Sequence, residues 1–338
     1  MKSFAITNVY AAMILLLFAA CTDYDKYEDN GPQPQTNVYI AGYLDYNNST
    51  AVVWKNGRAI MFPDYEDCRD IAISGNDVYV LGSKRNCVGC LGVNPALTYY
   101  WKMAQSQTPT WLGVGAGRTI AVSSNGDVYV GGSTSGKPSS CYWKNGQYVS
   151  LCPAGEDFGD VEDIAISGND VYMAGGVGLA GGAAVWKNGQ KVILAEDNDD
   201  DYYDATGITV SGNDVYACGY QALYSPFSYH TAIYWKNGQQ ITLAPNAMAN
   251  GIVVSGNDVY VCGNTNTDSD TTTAAYWKNG QLITLAQNAQ ATGIAVHGND
   301  VYVCGYINAD SDATTAVYWK NGKQIILGTG KAYAIVIQ

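Results

Sequence analysis

Two short phrases recur along the whole chain and constrain its fold more than any other feature. The first is built on Val-Tyr, as in GNDVYVCG at 256–263, and the second on Trp-Lys, as in YWKNGQ at 276–281. Successive copies lie about 40–50 residues apart, so the chain is an array of similar units rather than a set of unrelated domains. The copies of the first phrase are at Val38, Val78, Val128, Val171, Val215, Val259 and Val301, and the copies of the second contain Trp54, Trp101, Trp143, Trp186, Trp235, Trp277 and Trp319.

The sequence of each unit predicts four short β-strands, which we name A to D. In the sixth copy, strand A covers 251–254, strand B 259–263, strand C 274–277 and strand D 281–286. Asn-Gly between strands C and D is a strong signal for a two-residue hairpin turn, because both positions adopt positive φ there. The 38 Gly and 27 Tyr, with only 14 % charged residues, favour short strands and tight turns over helices. The fold class is therefore all-β.

A lone four-stranded sheet exposes its edges and cannot bury both faces, whereas sheets packed radially cover one another. The sequence thus predicts a seven-bladed β-propeller of four-stranded antiparallel blades over residues 37–338. Its ends are complementary, since NVYIAG at 37–42 is a strand B without a strand A, and AYAIVIQ at 332–338 is a strand A without a blade. We expect the C-terminal strand to complete the N-terminal blade.

The phrases resemble bacterial β-propeller repeats of the GNVYVTGYT type, which occur in secreted and surface proteins and serve many functions. LFAAC at 17–21 resembles the lipobox of bacterial lipoproteins. This resemblance implies a signal peptide at 1–20, lipidation of Cys21 and a flexible polar tether over 21–36; a plain signal peptide with a chance cysteine is the alternative. The acidic residues after Cys21 resemble surface-export signals. We therefore expect a lipid-anchored outer-membrane protein on the cell surface.

Charge and histidine content narrow the possible functions. The formal net charge of −12 repels a phosphate backbone, so nucleic acid is not an expected partner. Only 2 His are present, which leaves little material for a histidine-based metal site or a catalytic triad. No cofactor and no metal are predicted. Asp-Ser-Asp at 268–270 and at 310–312 leaves calcium open, although loop aspartates usually cap their own turn.

The cysteines are not expected to bind metal. Cys218, Cys262 and Cys304 share one strand B position, where other copies have Ala, Leu or Gly, which predicts small buried core residues. Cys87 and Cys90 form a single CxxC pair, for which a disulfide is favoured over zinc in an oxidising compartment. A disulfide between Cys141 and Cys152 is possible by position but is not favoured.

The loops divide the molecule into an invariant face and a variable face. The A–B turn, SGND in many copies, and the C–D turn, KNG, hardly change, whereas the B–C and D–A loops differ in every copy. We infer that the variable loops form the working face, with arginines and tyrosines available to bind acid groups and sugar rings. The alternative is that the charges form a solvated rim and that the tyrosines cap the core. The predicted ligand-binding residues are Arg69, Arg85, Arg118, Tyr65, Tyr220, Tyr306 and Tyr333.

The leading functional prediction is a non-catalytic binding module that presents this face to a glycan or an envelope protein partner. One alternative is a polysaccharide-acting hydrolase or lyase that uses paired carboxylates, for which Glu162, Asp163 and Asp204 are the candidates. Another is a structural subunit of an outer-membrane complex. The sequence does not show which carboxylates would pair, because they come from separate repeats.

Overall fold

The computed structural model describes residues 36–338 except 47, 86–95, 104–107, 135–139, 152–158, 178–181, 199–200, 224–229, 268–270 and 310–312. Within it, Asn37–Gln338 is one compact unit. The predicted signal peptide, Cys21 and the tether up to residue 35 lie outside the described residues. So do the Cys87–Cys90 pair, Cys152 and both Asp-Ser-Asp loops. The described part of the chain has no helix long and apolar enough to span a membrane.

The described residues are built from β-strands, and neighbouring strands in each sheet run antiparallel. In chain order the strands are β1 (Val38–Tyr46), β2 (Asn48–Lys55), β3 (Arg58–Phe62), β4 (Asp67–Ser74), β5 (Asp77–Arg85), β6 (Ala96–Lys102), β7 (Thr110–Val122), β8 (Val128–Thr134), β9 (Ser140–Lys144), β10 (Gln147–Ser150), β11 (Gly159–Ser167), β12 (Asp170–Val177), β13 (Gly182–Lys187), β14 (Gln190–Ala195), β15 (Asp201–Ser211), β16 (Asp214–Leu223), β17 (His230–Lys236), β18 (Gln239–Pro245), β19 (Ala247–Ser255), β20 (Asp258–Thr265), β21 (Thr273–Lys278), β22 (Gln281–Gln287), β23 (Ala289–His297), β24 (Asp300–Ile307), β25 (Thr315–Lys320) and β26 (Lys323–Ile337).

The predicted four-stranded unit is confirmed. Strands β11 to β14, β15 to β18 and β19 to β22 each form a four-stranded sheet in sequence order. The remaining strands form two larger sheets, in which β7 and β26 are long enough to serve two units at once. The first part of β7 pairs with β6 and its second part with β8. In the same way, β26 pairs first with β25 and then with β1.

The two ends of the described chain lie side by side in this last pair. Val38 of β1 is opposite Ile337 of β26. The backbone amide of Asn37 donates to the Gln338 carbonyl at 2.7 Å, and the Gln338 amide donates back to the Asn37 carbonyl at 2.8 Å. The C-terminal segment is therefore the hydrogen-bonded neighbour of β1.

The two repeated phrases are held together by one hydrogen-bonded network. In the sixth unit, Asn279 has a φ of 50° and Gly280 a φ of 80°, as a hairpin turn of this kind requires. The Asn279 side chain accepts from the Val259 amide at 2.8 Å and donates to Asp258 at 2.7 Å. Lys278 pairs with the same Asp258 at 2.8 Å. The Val-Tyr and Trp-Lys phrases recur together because each supplies the partners of the other.

The core lies between neighbouring sheets. Trp319 of β25 is 1 % exposed and packs in one cluster with Cys262 of β20 and Val303 of β24. Trp54, Trp186, Trp235 and Trp277 are likewise buried. Burial of such large apolar side chains is the main favourable term in folding, which explains why a tryptophan is retained in every copy.

The strand B cysteines belong to this core, as predicted. Cys218, Cys262 and Cys304 are 0 % exposed and are free thiols. Burial raises the pKa of Cys218 and of Cys304 to about 12, so these thiols stay protonated at neutral pH. Cys68 is also a buried free thiol, and Cys141 is buried.

Candidate functional site

The first strand of each unit is here called its inner strand; these are β4, β7, β11, β15, β19, β23 and the C-terminal half of β26. Each inner strand has a β-bulge that directs one side chain into a common cavity. In β11, for example, Val161 and Asp163 are opposite successive residues of β12, so Glu162 is the extra residue. A bulge of this kind re-aims a side chain and breaks the alternation of the strand. The cavity has a volume of about 230 Å³. The bulged residues that line it are Arg69, Arg118, Glu162, Thr206, Asn250, Thr292 and Tyr333.

In the sixth unit, Asn250 directly precedes the strand A that the sequence predicts at 251–254, and the other bulged residues are at equivalent positions of their units. The structure places them inside longer strands, because each strand A begins before the bulge. The inner strands contact one another in the order β4, β7, β11, β15, β19, β23 and β26, and β26 contacts β4. The predicted ligand-binding residues Arg69, Arg118 and Tyr333 are thus brought together around one cavity.

One side of the cavity is polar but internally satisfied. Thr206 donates to the Ala249 carbonyl at 2.7 Å, in the next inner strand. Asn250 donates in the same direction to the Ala291 carbonyl at 2.7 Å. Thr292 repeats this contact with the Ala332 carbonyl at 2.9 Å. These side chains join neighbouring units, so the reactive groups must lie elsewhere.

On another side, Arg118 and Glu162 line the cavity and interact with two carboxyl groups outside the lining, those of Asp160 and Asp204. Arg118 pairs through Nη2 with Asp160 at 2.7 Å and through Nε with Glu162 at 3.1 Å. Asp204, on β15, interacts electrostatically with Arg118 and with Glu162 and contributes to the shifted pKa of each. One oxygen of Asp204 is buried without a hydrogen-bond partner among the described residues. Two carboxyls of the cluster, Glu162 and Asp204, are those that sequence reasoning could not pair.

The pKa values of this cluster are shifted toward neutrality. Burial raises the pKa of Glu162 to about 7, reinforced by repulsion from Asp204 and opposed by Arg118. Burial likewise raises the pKa of Asp204 to about 6, and the Ala205 amide and Arg118 oppose the shift. Removal from water outweighs the single neighbouring cation. Both groups therefore exchange protons in the range where a general acid or base operates.

Two further aspartates form the wall beneath the bulged residues. Asp163 accepts the Ile164 amide and the Ile208 amide, each at 2.8 Å. Asp70 accepts the Ile71 amide and the Ile120 amide, each at 2.7 Å. Burial raises the pKa of Asp163 to about 6 and that of Asp70 to about 7, although the amides act in the opposite direction. Since both oxygens of each carboxyl hold backbone amides, these residues serve the structure.

Asp70 was not identified from the sequence. A comparison of the internal copies contained the signal: Asp70 and Asp163 follow a bulged residue where other units have Gly207, Gly251 and Gly293. An acidic residue in place of a repeated glycine marks a position with a special role.

Arg69 lies in a different environment from Arg118. Its Nε pairs with Asp67 at 2.9 Å, and 42 % of its side chain is exposed. Asp67 is buried and accepts from the Ser83 amide at 3.1 Å and from the Ser83 hydroxyl at 2.5 Å. Tyr333 lies beside Arg69 on the cavity wall, and its ring centroid is 5.8 Å from that of Tyr43. This side of the cavity combines a cation with aromatic faces.

Tyr65, Tyr220 and Tyr306, which were also predicted to bind ligand, do not line the cavity. Tyr65 stacks on Trp101 with a centroid distance of 4.7 Å, which is a packing contact. Tyr220 lies on β16 beside Tyr202 and His230. Tyr306 donates to Gln290 at 2.6 Å, and Lys331 lies 4.4 Å from its ring centroid.

Arg85 is the last residue of β5, and its side chain lies outside the described part of the chain. Tyr220 and Tyr306 were expected in loops, but they lie on strands that extend beyond their predicted ends. Among the described side chains, no cluster of three or more His, Cys, Asp or Glu has an arrangement that would hold a metal ion.

No protein-family model matches the sequence, and no curated protein matches it. Solved structures do resemble the fold. The periplasmic gluconolactonase PpgL of Pseudomonas aeruginosa is 12 % identical with a TM-score of 0.46, over 89 % of this chain and 98 % of that one. AztD from Citrobacter koseri is 13 % identical with a TM-score of 0.44, over 90 % of this chain and 98 % of that one. A puromycin-hydrolysing peptidase of Mycobacterium tuberculosis is 11 % identical with a TM-score of 0.49, over 83 % of this chain and 50 % of that one.

The repeated four-stranded antiparallel sheets, packed side by side through their first strands, give the chain a β-propeller fold. Two of these structures belong to enzymes, a gluconolactonase and a peptidase. This finding contradicts the prediction of a non-catalytic binding module and favours its alternative, an enzyme. At such low identity the likeness extends to the fold alone, and this chain spans only half of the peptidase. Any activity must therefore be argued from the cavity itself.

Proposed function

We propose that the protein is a hydrolase that cleaves glycosidic bonds of a polysaccharide with the carboxyl groups of Glu162 and Asp204. One observation carries this proposal: Glu162 lines the cavity, Asp204 interacts with it and with Arg118, and both carboxyl groups have pKa values raised into the neutral range. Glycoside hydrolysis needs one carboxyl group that is protonated and one that is ionised at the working pH. A pKa of about 7 suits Glu162 as the acid, and a pKa of about 6 suits Asp204 as the base.

The chemistry balances with these two residues. Glu162 donates its proton to the glycosidic oxygen as the bond from that oxygen to the anomeric carbon breaks. The oxygen of a water molecule forms the new bond to that carbon, and Asp204 accepts the proton that this water loses. Exchange with solvent then returns both carboxyl groups to their starting states. Arg118 stabilises the Glu162 carboxylate that the step produces, through the ion pair at 3.1 Å.

A lyase is the less suitable alternative at this site. Elimination needs a strong base at a carbon acid and a cation that neutralises the substrate carboxylate. Arg118, the cation nearest to Glu162, is already paired with Glu162 and Asp160. Two carboxyl groups of different proton affinity fit hydrolysis better.

We further propose that the inner strands form a closed seven-bladed propeller and that the protein is lipid-anchored at Cys21 in the outer membrane. The pairing of β1 with β26 and the contact of β26 with both β23 and β4 support closure. The lipobox-like LFAAC at 17–21 supports the anchor. An enzyme held in this way would meet polysaccharide outside the cell. Radiolabelled palmitate incorporation, abolished by Cys21→Ala, tests the anchor.

The catalytic proposal is tested with the Glu162→Gln and Asp204→Asn variants on a panel of polysaccharides. Release of reducing ends should fall by about 10²–10⁴-fold in each variant. Glu196→Gln is the matched control, because Glu196 is an exposed acid between β14 and β15. This variant should leave the rate unchanged. If no polysaccharide is cleaved by the folded wild type, or if Glu162→Gln keeps full activity, the proposal is wrong.

A further inference from the structure

The two arginines that line the cavity differ in the number of carboxylates that they pair with. Arg118 is held by two carboxylates, through Nε and through Nη2. Arg69 pairs only through Nε, with Asp67, as far as the described residues show. Its two terminal nitrogens therefore have no carboxylate partner in the described structure. An arginine that presents this edge can bind a carboxylate or a sulfate through two parallel hydrogen bonds.

The anchoring of Arg69 is well defined. Asp67 is 8 % exposed, and its second interaction is with Ser83, so its carboxylate is fixed on both sides. Fixing Nε sets the plane of the guanidinium before any ligand arrives. A preorganised donor loses less conformational entropy on binding than a free side chain does. Asp67 neutralises part of the charge but leaves the terminal edge of Arg69 available at the cavity wall.

Aromatic surface is available next to this edge. Tyr333 lines the same cavity and is close enough to Arg69 for the cation to affect its pKa. Tyr43 extends the aromatic surface, with its ring tilted by 42° to that of Tyr333. Sugar rings pack their apolar C–H faces against such aromatic rings, while a neighbouring cation binds an acid substituent.

Arg69 lines the same cavity as Glu162, the proposed catalytic acid. Its strand β4 contacts β7, which carries Arg118, and β7 contacts β11, which carries Glu162. One inner strand therefore separates the free arginine edge from the acid. A saccharide unit bound at Arg69 would present its linkage to the next unit toward Glu162.

We propose that Arg69 and Tyr333 form a subsite for an acidic sugar unit of the substrate, bearing a carboxylate or a sulfate ester. This inference rests on the proposed function, because it names the substrate class of that same site. The net charge of −12 opposes long-range attraction of a polyanion. Recognition is consequently short-range and depends on the Arg69 edge rather than on the overall charge.

The test measures binding separately from turnover. The full chain carrying Glu162→Gln and Asp204→Asn, purified in detergent, is titrated calorimetrically with oligogalacturonates, sulfated dextran oligosaccharides and unsubstituted dextran oligosaccharides. We expect one of the two acidic probes to bind at least about tenfold more tightly than the neutral one. Which acidic probe binds distinguishes a carboxylate from a sulfate.

Adding Arg69→Ala should abolish this preference, and Arg69→Lys should restore only part of it, because lysine lacks the bidentate edge. Lys187→Ala is the matched control, since Lys187 pairs with Asp170 in the invariant turn network and should leave binding unchanged. Equal affinity for acidic and neutral probes, or a preference that survives Arg69→Ala, would overturn the subsite. Selective binding without cleavage by the wild type would instead refute the hydrolase and leave the subsite standing.

Discussion

Ile208 donates its backbone amide to a carboxylate oxygen of Asp163 at 2.8 Å, across the boundary between two inner strands. The other oxygen of Asp163 holds the Ile164 amide of its own strand. A single half-buried carboxyl group thus joins β11 to β15 at the wall of the cavity. Asp70 makes the equivalent connection from β4 to β7 through the Ile120 amide.

The first prediction concerns stability and pH. Asp70 and Asp163 have pKa values of about 7 and about 6, above the ordinary aspartate value, so the folded protein holds protons that the unfolded chain releases. Stability contributed by their protonated forms is lost as pH rises through these values. The free energy of unfolding should fall on the order of 1 kcal/mol per carboxyl between about pH 5 and pH 8.

Urea unfolding at several pH values measures this dependence. In strong acid the sign reverses, because pairing with Lys278 and Asn279 lowers the pKa of Asp258 and that stabilisation is lost on protonation. Stability should therefore be greatest under mildly acidic conditions. A stability that rises steadily toward alkaline pH would show that the two wall carboxyls are ionised in the folded state.

The second prediction concerns the pH dependence of hydrolysis. The acid Glu162 must be protonated, which holds below about 7, and the base Asp204 must be ionised, which holds above about 6. A plot of kcat/KM against pH should therefore be a narrow bell between these values. Arg118 lowers the pKa of Glu162, so Arg118→Ala should move the alkaline limb upward by about one pH unit. An unmoved alkaline limb in this variant would assign that limb to another group.

The third prediction concerns the repeated turn. Asn279 combines a positive φ with hydrogen bonds to Val259 and Asp258. Asn279→Ala should destabilise the protein by about 2 kcal/mol, because alanine is strained at this φ and makes neither bond. Asn279→Gly avoids the strain but still loses the hydrogen bonds, so its stability should lie between those of the wild type and Asn279→Ala. Lys278→Ala removes an exposed ion pair with Asp258 and a contact with the Tyr260 ring, and it should destabilise the protein less than either Asn279 variant. Urea denaturation ranks the three variants.

The fourth prediction concerns close packing at a glycine of the inner wall. A Cβ added to Gly207 would lie 3.0 Å from the Cys218 sulfur and 3.2 Å from the Gly251 Cα. Gly207→Ala should therefore cost about 1–3 kcal/mol through overpacking. Cys218→Ala removes the sulfur and should relieve part of that cost in the double variant. Additive effects of the two substitutions in thermal unfolding would rule out this contact as the cause.

Much of the fold could be predicted from the sequence, because the determinants are local and repeated. The Asn-Gly of the KNG turns adopts positive φ, as at Asn279 and Gly280, and the short apolar run in GNDVYVCG predicts a buried strand. The same internal comparison placed Arg69, Arg118 and Glu162 at equivalent positions. It did not reveal the bulge, since an extra residue in one strand is recognisable only against the register of its partner.

The chemistry of the cavity was less predictable. The contact of Arg118 with Asp160 joins residues 42 positions apart, and nothing in either segment specifies the partner. The raised pKa of Glu162 depends on burial and on Asp204, which comes from another unit. Tyr220 and Tyr306 were expected in loops because the alternating pattern fades before the strands end. Tertiary pairing extends those strands beyond what local preference indicates.

The pairing of β1 with β26 also has a consequence for synthesis and export. Strand β1 is synthesised long before β26, its hydrogen-bonding neighbour. Until then the edge of β1 has no permanent partner, and an incomplete chain carries a ready template for aggregation. Translation therefore reaches Lys323–Ile337, the segment that pairs with the edge of β1, only after all the other described strands have been made.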